Sequence, residues 1–281
     1  MNGRAMDLRQ AFQASRHIPA RSPASAPAPA LVIGSGKGGV GKSIAAIAFA
    51  AELAAGGRRV LLLDGAQNLG ALHVLLGVTP TATLESLLDT TMPPEALVAP
   101  IAPNLWLLPS ESGSETLHGL TGTDRARLHR RLSALYDGFD VTVIDTGAGL
   151  DGAVRCATMR ATRLVLLTMP EAAALTDAYA LAKIVSLQVR DLPVDVVVNR
   201  VRTEEEGRAA FDRLAGAAER FLQRGLRYLG SAPEDPGLRD AITQPDHLLS
   251  PDGSPALRAI RAMAAERLEL PPLLRPHTTG A

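Results

Sequence analysis

From Leu31 onward the chain alternates between short apolar runs and longer segments with apolar residues every three or four positions. The short runs are bounded by turn residues and predict strands at 31–35, 59–64, 105–109, 140–145, 163–168, 194–199 and 227–231. The longer segments predict helices at 42–55, 69–76, 83–89, 123–136, 150–160, 171–189, 203–224, 234–242 and 255–268. Thr203-Glu204-Glu205-Glu206 has the form of a capping box opening one of them. Phe211, Leu214, Ala218 and Phe221 then share one face of that helix. Such alternation predicts an α/β fold, a mostly parallel β-sheet with helices on both faces in three layers. No internal repeat is present.

Before Leu31 the pattern stops. Residues 17–30 read as a Pro/Ala-rich linker, extended and mobile. Residues 1–16, with a short helical stretch from Met6 to Ser15, are a candidate partner-docking arm. Residues 31–270 form the expected domain, and 271–281 a tail. At 281 residues the chain is near the upper size of one α/β domain. Its 46% apolar content is ordinary for a globular chain.

Charge and cysteine usage narrow the classes. Lys+Arg and Asp+Glu each number 29, so net charge gives no general argument for nucleic-acid binding. The single cysteine, Cys156, forms no internal disulfide, which suits a reducing cytoplasm, and it reads as a small core residue. One thiol is also too few for an iron–sulfur cluster shared between subunits. The six histidines show no metal-ligand spacing. No run of about 18 apolar residues exists to span a membrane. Met1 to Arg16 lacks the apolar core of a signal peptide.

The chemistry concentrates in Gly36-Lys37-Gly38-Gly39-Val40-Gly41-Lys42-Ser43, which fits G-x-x-x-x-G-K-[ST] at every fixed position. A predicted strand precedes it and a predicted helix, entered through Ile44, follows it. The glycines let backbone N–H groups turn toward phosphate oxygens, and the helix points its positive end at the same anion. These nine residues, Gly36 to Ile44, are the candidate nucleotide-binding run. Lys42 is placed to neutralise the β- and γ-phosphates of ATP, and Ser43 to hold Mg²⁺. Val141 to Ile144 form an apolar strand ending in Asp145, the arrangement of a second Mg²⁺ ligand acting through water. Thr146-Gly147-Ala148-Gly149 then brings backbone near the γ-phosphate. Asn199, with Arg200 beside it, ends another apolar strand. An amide can pair with both the donor and the acceptor on adenine's edge, or simply form a turn.

Lys37 is a second lysine in a loop that needs one. The heptad from Lys37 to Ser43 resembles the deviant Walker A motif of the MinD/ParA family. The segments at 143–149, 170–185, 196–201 and 228–242 resemble the FlhG/FleN flagellar regulators within that family. The likeness runs from about 31 to 270. It implies a P-loop ATPase with Lys37, Lys42, Asp64 and Asp145 as catalytic candidates. It also implies an ATP-driven, face-to-face homodimer in which Lys37 reaches the partner's nucleotide. Asn199 matches the family's adenine-reading asparagine, and Ser231 to Asp235, with Pro233, match the loop covering adenine from the other side. Implied partners are an FlhF-type GTPase, flagellar switch proteins or a transcription activator, with a carboxyl-terminal helix gripping the inner membrane surface.

The chain departs from this pattern in places. The family's switch I carries an Asp-x-Asp pair; here Asp64 fills the first place and Ala66 the second. Alanine cannot position an attacking water, a loss worth roughly two to four orders of magnitude in rate. ATP binding is therefore better supported than hydrolysis. Near the amino terminus only Gln10 and Ala11 match the FlhF-activating motif. In 255–268, Leu257, Ile260, Ala264 and Leu268 share a face that either packs on the domain or touches the membrane weakly. Arg125, Arg127, His129, Arg130 and Arg131 suit a solvated helix face better than DNA, since Asp124 and Asp137 flank them. Three readings follow: an ATP-dependent flagellar switch, an ATP-loaded scaffold that does not turn over, and a ParA-like positioning ATPase.

Overall fold

The computed structural model describes residues 28–65, 71–111, 120–147, 161–238, 244–250 and 252–270. Within them lie eight strands: β1 (Ala30–Gly34), β2 (Val60–Gly65), β3 (Ala99–Ala102), β4 (Leu105–Leu108), β5 (Val141–Thr146), β6 (Arg163–Thr168), β7 (Val194–Val201) and β8 (Arg227–Pro233). They form one sheet in the order β3-β4-β2-β5-β1-β6-β7-β8. β3 pairs antiparallel with β4 at the edge, and every other neighbour is parallel.

The inner strands are continuous apolar runs because both their faces are covered. In β1, Leu31 and Ile33 face one core and Val32 the other, as the pleat requires. The first core lies beneath α1 (Lys42–Ala55) and α7 (Pro255–Ala262). The second lies beneath α3 (Gly122–Tyr136), α4 (Ala172–Gln188) and α5 (Glu204–Leu222). Two short helices, α2 (Leu72–Leu75) and α6 (Pro245–Leu249), pack on the α1 side through Leu72 and Leu248. The three-layer α/β expectation holds.

α1 starts at Lys42, straight after Gly41 at φ 96°, a left-handed conformation. It stops at Gly56 and Gly57, the latter at φ 85°. α5 is capped by the Thr203 side chain, which accepts from the Glu206 N–H at 3.2 Å. The box is not reciprocal, since the Glu206 carboxylate reaches the Arg202 N–H at 2.7 Å.

Several expectations need correction. The edge strand β3 carries Pro100 and was absent from the predicted strands. Among the described residues of 69–76 only Leu72–Leu75 is helical, and 83–89 is a 3₁₀ turn, Leu84–Leu88. Phe221 leaves the expected buried face of α5 and is 66% exposed, with the Arg220 guanidinium 5.3 Å from its ring centre. Most importantly, Leu257, Ile260, Ala264 and Leu268 are buried in the first core. Of the two destinations open to this face, the structure shows packing on the domain. The helix at 150–160, Cys156, the arm at 1–16, all but the end of the linker, and the tail lie outside the described residues.

Candidate functional site

The P-loop leaves the carboxyl end of β1, in the middle of the sheet, and enters α1. Two local features shape it. The Ser35 hydroxyl, fully buried, donates to the Lys37 carbonyl at 2.6 Å. Gly39 and Gly41 take positive φ, 76° and 96°. Distant chain then fixes it in place. A Cβ on Gly36 would lie 2.0 Å from the Asp177 carbonyl oxygen of α4, so only glycine lets the two backbones pass. A Cβ on Gly41 would lie 2.7 Å from Asn199 Nδ2.

Asn199, buried at the end of β7, clasps the loop from the side. Its Nδ2 donates to the Val40 carbonyl at 2.8 Å, and its Oδ1 accepts from the Arg200 N–H at 2.9 Å. These bonds fix which way the amide points and leave one N–H and one lone pair unused. Arg200 itself sits in the left-handed region at φ 57°, an uncommon place for a side chain.

Two carboxylates stand beside the loop. Asp64 of β2 and Asp145 of β5 are register partners and both are buried. The Thr146 hydroxyl ties β5 to β1 by donating to the Ile33 carbonyl at 2.9 Å. Burial raises the Asp145 carboxyl to about 7, and Asp64 pushes the same way, against a Ser43 hydrogen bond and the Lys42 charge. Burial likewise pushes the Lys42 ammonium below its ordinary range, and Asp145 opposes that. Asp145 Oδ1 is buried with no hydrogen-bond partner. A carboxylate oxygen left open beside a hydroxyl is a hard-donor pair that fits Mg²⁺.

A cleft of about 710 Å³ joins these parts. It is lined by Gly39, Gly41, Lys42, Ser43 and Ile44 and by Asn199, Arg200 and Pro233 to Pro236. Leu75 of α2 and Ala256 and Ile260 of α7 complete the wall. Its volume suits a ligand of nucleotide size. The loop from Pro233 to Pro236 is held because Asp235 Oδ2 accepts from the Ala256 N–H at 3.1 Å.

Residues 31–248 match the family model described as the CobQ/CobB/MinD/ParA nucleotide binding domain. The chain belongs to this family. Among its MinD/ParA relatives is the antiactivator FleN of Pseudomonas aeruginosa, 32% identical over 216 residues, covering 77% of each chain. Another is the flagellum site-determining protein YlxH of Helicobacter pylori, 32% identical over 202 residues, covering 72% of this chain and 68% of that one. MinD from Pyrococcus furiosus superposes with a TM-score of 0.68 at 27% identity, over 84% of this chain and 97% of that chain. MinD from Pyrococcus horikoshii, solved with Mg-ADP, gives 0.68 at 25%, over 85% and 95%.

Within this MinD/ParA chain the structure gathers Gly39, Gly41, Lys42, Ser43, Ile44, Asn199, Arg200 and Pro233 on one cleft, with Asp145 against Lys42 and Ser43. Gly36 and Val40 serve the loop's shape and do not line the cleft. Lys37 and Gly38 are exposed and do not line the cleft. Ala66, Ala148 and Gly149 lie outside the described residues. Asp64 is inside them but is bonded elsewhere, its Oδ2 accepting from the Leu72 N–H at 3.1 Å. Ser35, the Thr146 hydroxyl's bond to β1, the places of Leu75 and Ile260 in the cleft wall and the contact of Gly36 with Asp177 were not expected. Each depends on chain brought in by folding, and only the turn-forming Ser35 left a local sign. On α3, Arg127 pairs with Asp124 at 3.3 Å and Arg131 bonds the Met92 carbonyl. Among the described residues no His/Cys/Asp/Glu group could hold a metal by itself, and no helix is long and apolar enough to cross a membrane.

Proposed function

We propose that this chain is an ATP-dependent switch of the FleN/YlxH kind, acting in the cytoplasm. It dimerises on ATP and regulates flagellar number, placement or biosynthesis. One observation carries the nucleotide part of the reading. A buried carboxylate with an open oxygen, Asp145, stands beside Lys42 and Ser43, and those two line one cleft with Asn199 and Pro233. Loop amides and the start of α1 take the phosphates, and Lys42 supplies the point charge. Ser43 and Asp145 hold Mg²⁺, which when bound supplies neutralisation of phosphate charge. The N–H and lone pair left on the Asn199 amide match the acceptor and donor on adenine's edge. The exposure of Lys37 supports the reading in which it reaches a partner's nucleotide.

FleN is named an antiactivator, which favours a transcription activator among the partners over an FlhF-type GTPase or flagellar switch proteins. Ala66 favours a second reading, a scaffold that loads ATP, dimerises and turns over slowly or not at all. The DNA-positioning reading has less support, since Arg127 and Arg131 are already engaged within the chain.

Equilibrium ATP binding, light scattering and steady-state turnover on one set of variants test this. Lys42→Ala should abolish binding and leave the fold intact, and unchanged affinity would overturn the site. Lys37→Ala should bind ATP yet stay monomeric where wild type doubles its mass. A wild type that is monomeric in every nucleotide condition would overturn the switch. Ala66→Asp should raise turnover about ten- to a thousand-fold. A fast wild type with no gain from that change would show that another group positions the water.

A further inference from the structure

We propose that Asp64 is a positioning residue for the nucleotide cleft: its carboxylate holds the start of α2, and α2 holds Leu75 against the nucleotide. This rests on the nucleotide reading of the cleft given above. Asp64 is fully buried at the end of β2, one strand from Asp145. Its Oδ2 accepts from the N–H of Leu72, the first residue of α2, at 3.1 Å and eight positions along the chain.

The first N–H groups of a helix have no partner within it, and a carboxylate is the strongest acceptor a side chain can offer them. α2 has only four residues and cannot stand on its own hydrogen bonds. Its place is therefore set from outside, by the Asp64 bond and by Leu72, which is buried in the first core. One turn on, Leu75 is half-buried and lines the cleft together with Ile260, while Val74 is 68% exposed. An acid that motif logic assigns to chemistry is thus tied to backbone.

The charge of Asp64 and its hydrogen bond can be separated. Asparagine keeps an acceptor for the Leu72 N–H and removes the charge; alanine removes both. ADP affinity is measured by fluorescence titration in EDTA, so that no metal contributes. Asp64→Ala and Leu75→Ala should each weaken ADP about ten-fold, the scale of one lost charge-assisted contact. The double variant should be no weaker than about the larger single one, because both remove the same wall. Asp64→Asn should stay within about two-fold of wild type.

Wild-type affinity in Asp64→Ala or Leu75→Ala overturns the proposal. So does Asp64→Asn binding as weakly as Asp64→Ala, which would assign the effect to charge. If Asp64→Ala does not fold, Leu75→Ala and Asp64→Asn decide. Lys42→Ala in the same titration keeps the two readings apart. Wild-type binding there removes the nucleotide site itself. Lost binding there with full binding in Leu75→Ala removes only the positioning role.

Discussion

Two buried aspartates sit at opposite ends of the sheet and are treated in opposite ways. Asp195, near the amino end of β7, is closed on every side. Its two oxygens accept from Arg163 at 3.0 Å and from Arg227 at 2.8 Å. Glu269 then bridges the same two arginines. Asp145, near the carboxyl end of β5, has one oxygen with no partner and a second carboxylate as its neighbour. Burial alone does not tell the two apart, since both are nearly inaccessible. What differs is completion. A charge whose hydrogen bonds are filled fastens strands together. A charge left open, with its proton affinity raised, waits for something the chain does not supply.

Breaking the closed end should cost the most. Asp195→Ala leaves two guanidinium groups facing each other and should lower stability by about 3–4 kcal/mol, the lower part of the range for breaking a buried pair because Arg227 is partly exposed. Urea unfolding measures it, and ATP affinity of the folded protein should not change. The open end should respond with the opposite sign. In metal-free protein the folded Asp145 carboxyl titrates near 7, above its unfolded value of about 4. Between those values the folded chain binds more protons than the unfolded one, so stability falls as pH rises through the window. Asp145→Asn should therefore stabilise the chain in EDTA at pH 8, by an amount on the order of 2 kcal/mol, and progressively less toward pH 5. It should lose Mg²⁺-dependent binding at the same time. The smallest effect belongs to Glu269→Gln. That side chain is 75% exposed, so its two ion pairs should contribute less than about 1 kcal/mol, fading with added salt.

Local pattern carried most of the architecture. Each inner strand is covered on both faces, so its apolar run announces it without help from the rest of the chain. The P-loop was legible for a related reason: eight consecutive residues, Gly36 to Ser43, contain its turn, its charge and its helix start. β3 was not, because a four-residue edge strand with a proline has neither length nor apolar continuity, and only pairing with β4 makes it a strand. The clasp from Asn199 to Val40 joins residues 159 apart, and no periodicity reports a contact at that range. The face at Leu257 and Ile260 was visible but its destination was not. An apolar stripe looks the same whether it meets a sheet or a lipid surface.

That last ambiguity bears on how deletion experiments would be read. Cutting the chain ahead of Pro255, as one would to detach a carboxyl-terminal anchor, would strip Leu257, Ile260, Met263, Ala264 and Leu268 out of the first core. It would also remove Ala256 and Ile260 from the wall of the cleft. A truncated protein that lost its place in the cell would be reporting a collapsed nucleotide pocket and an opened interior, and would say nothing about adhesion to a bilayer. Point changes at solvent-facing Arg258 or Glu266 leave the core intact and would ask the localisation question cleanly.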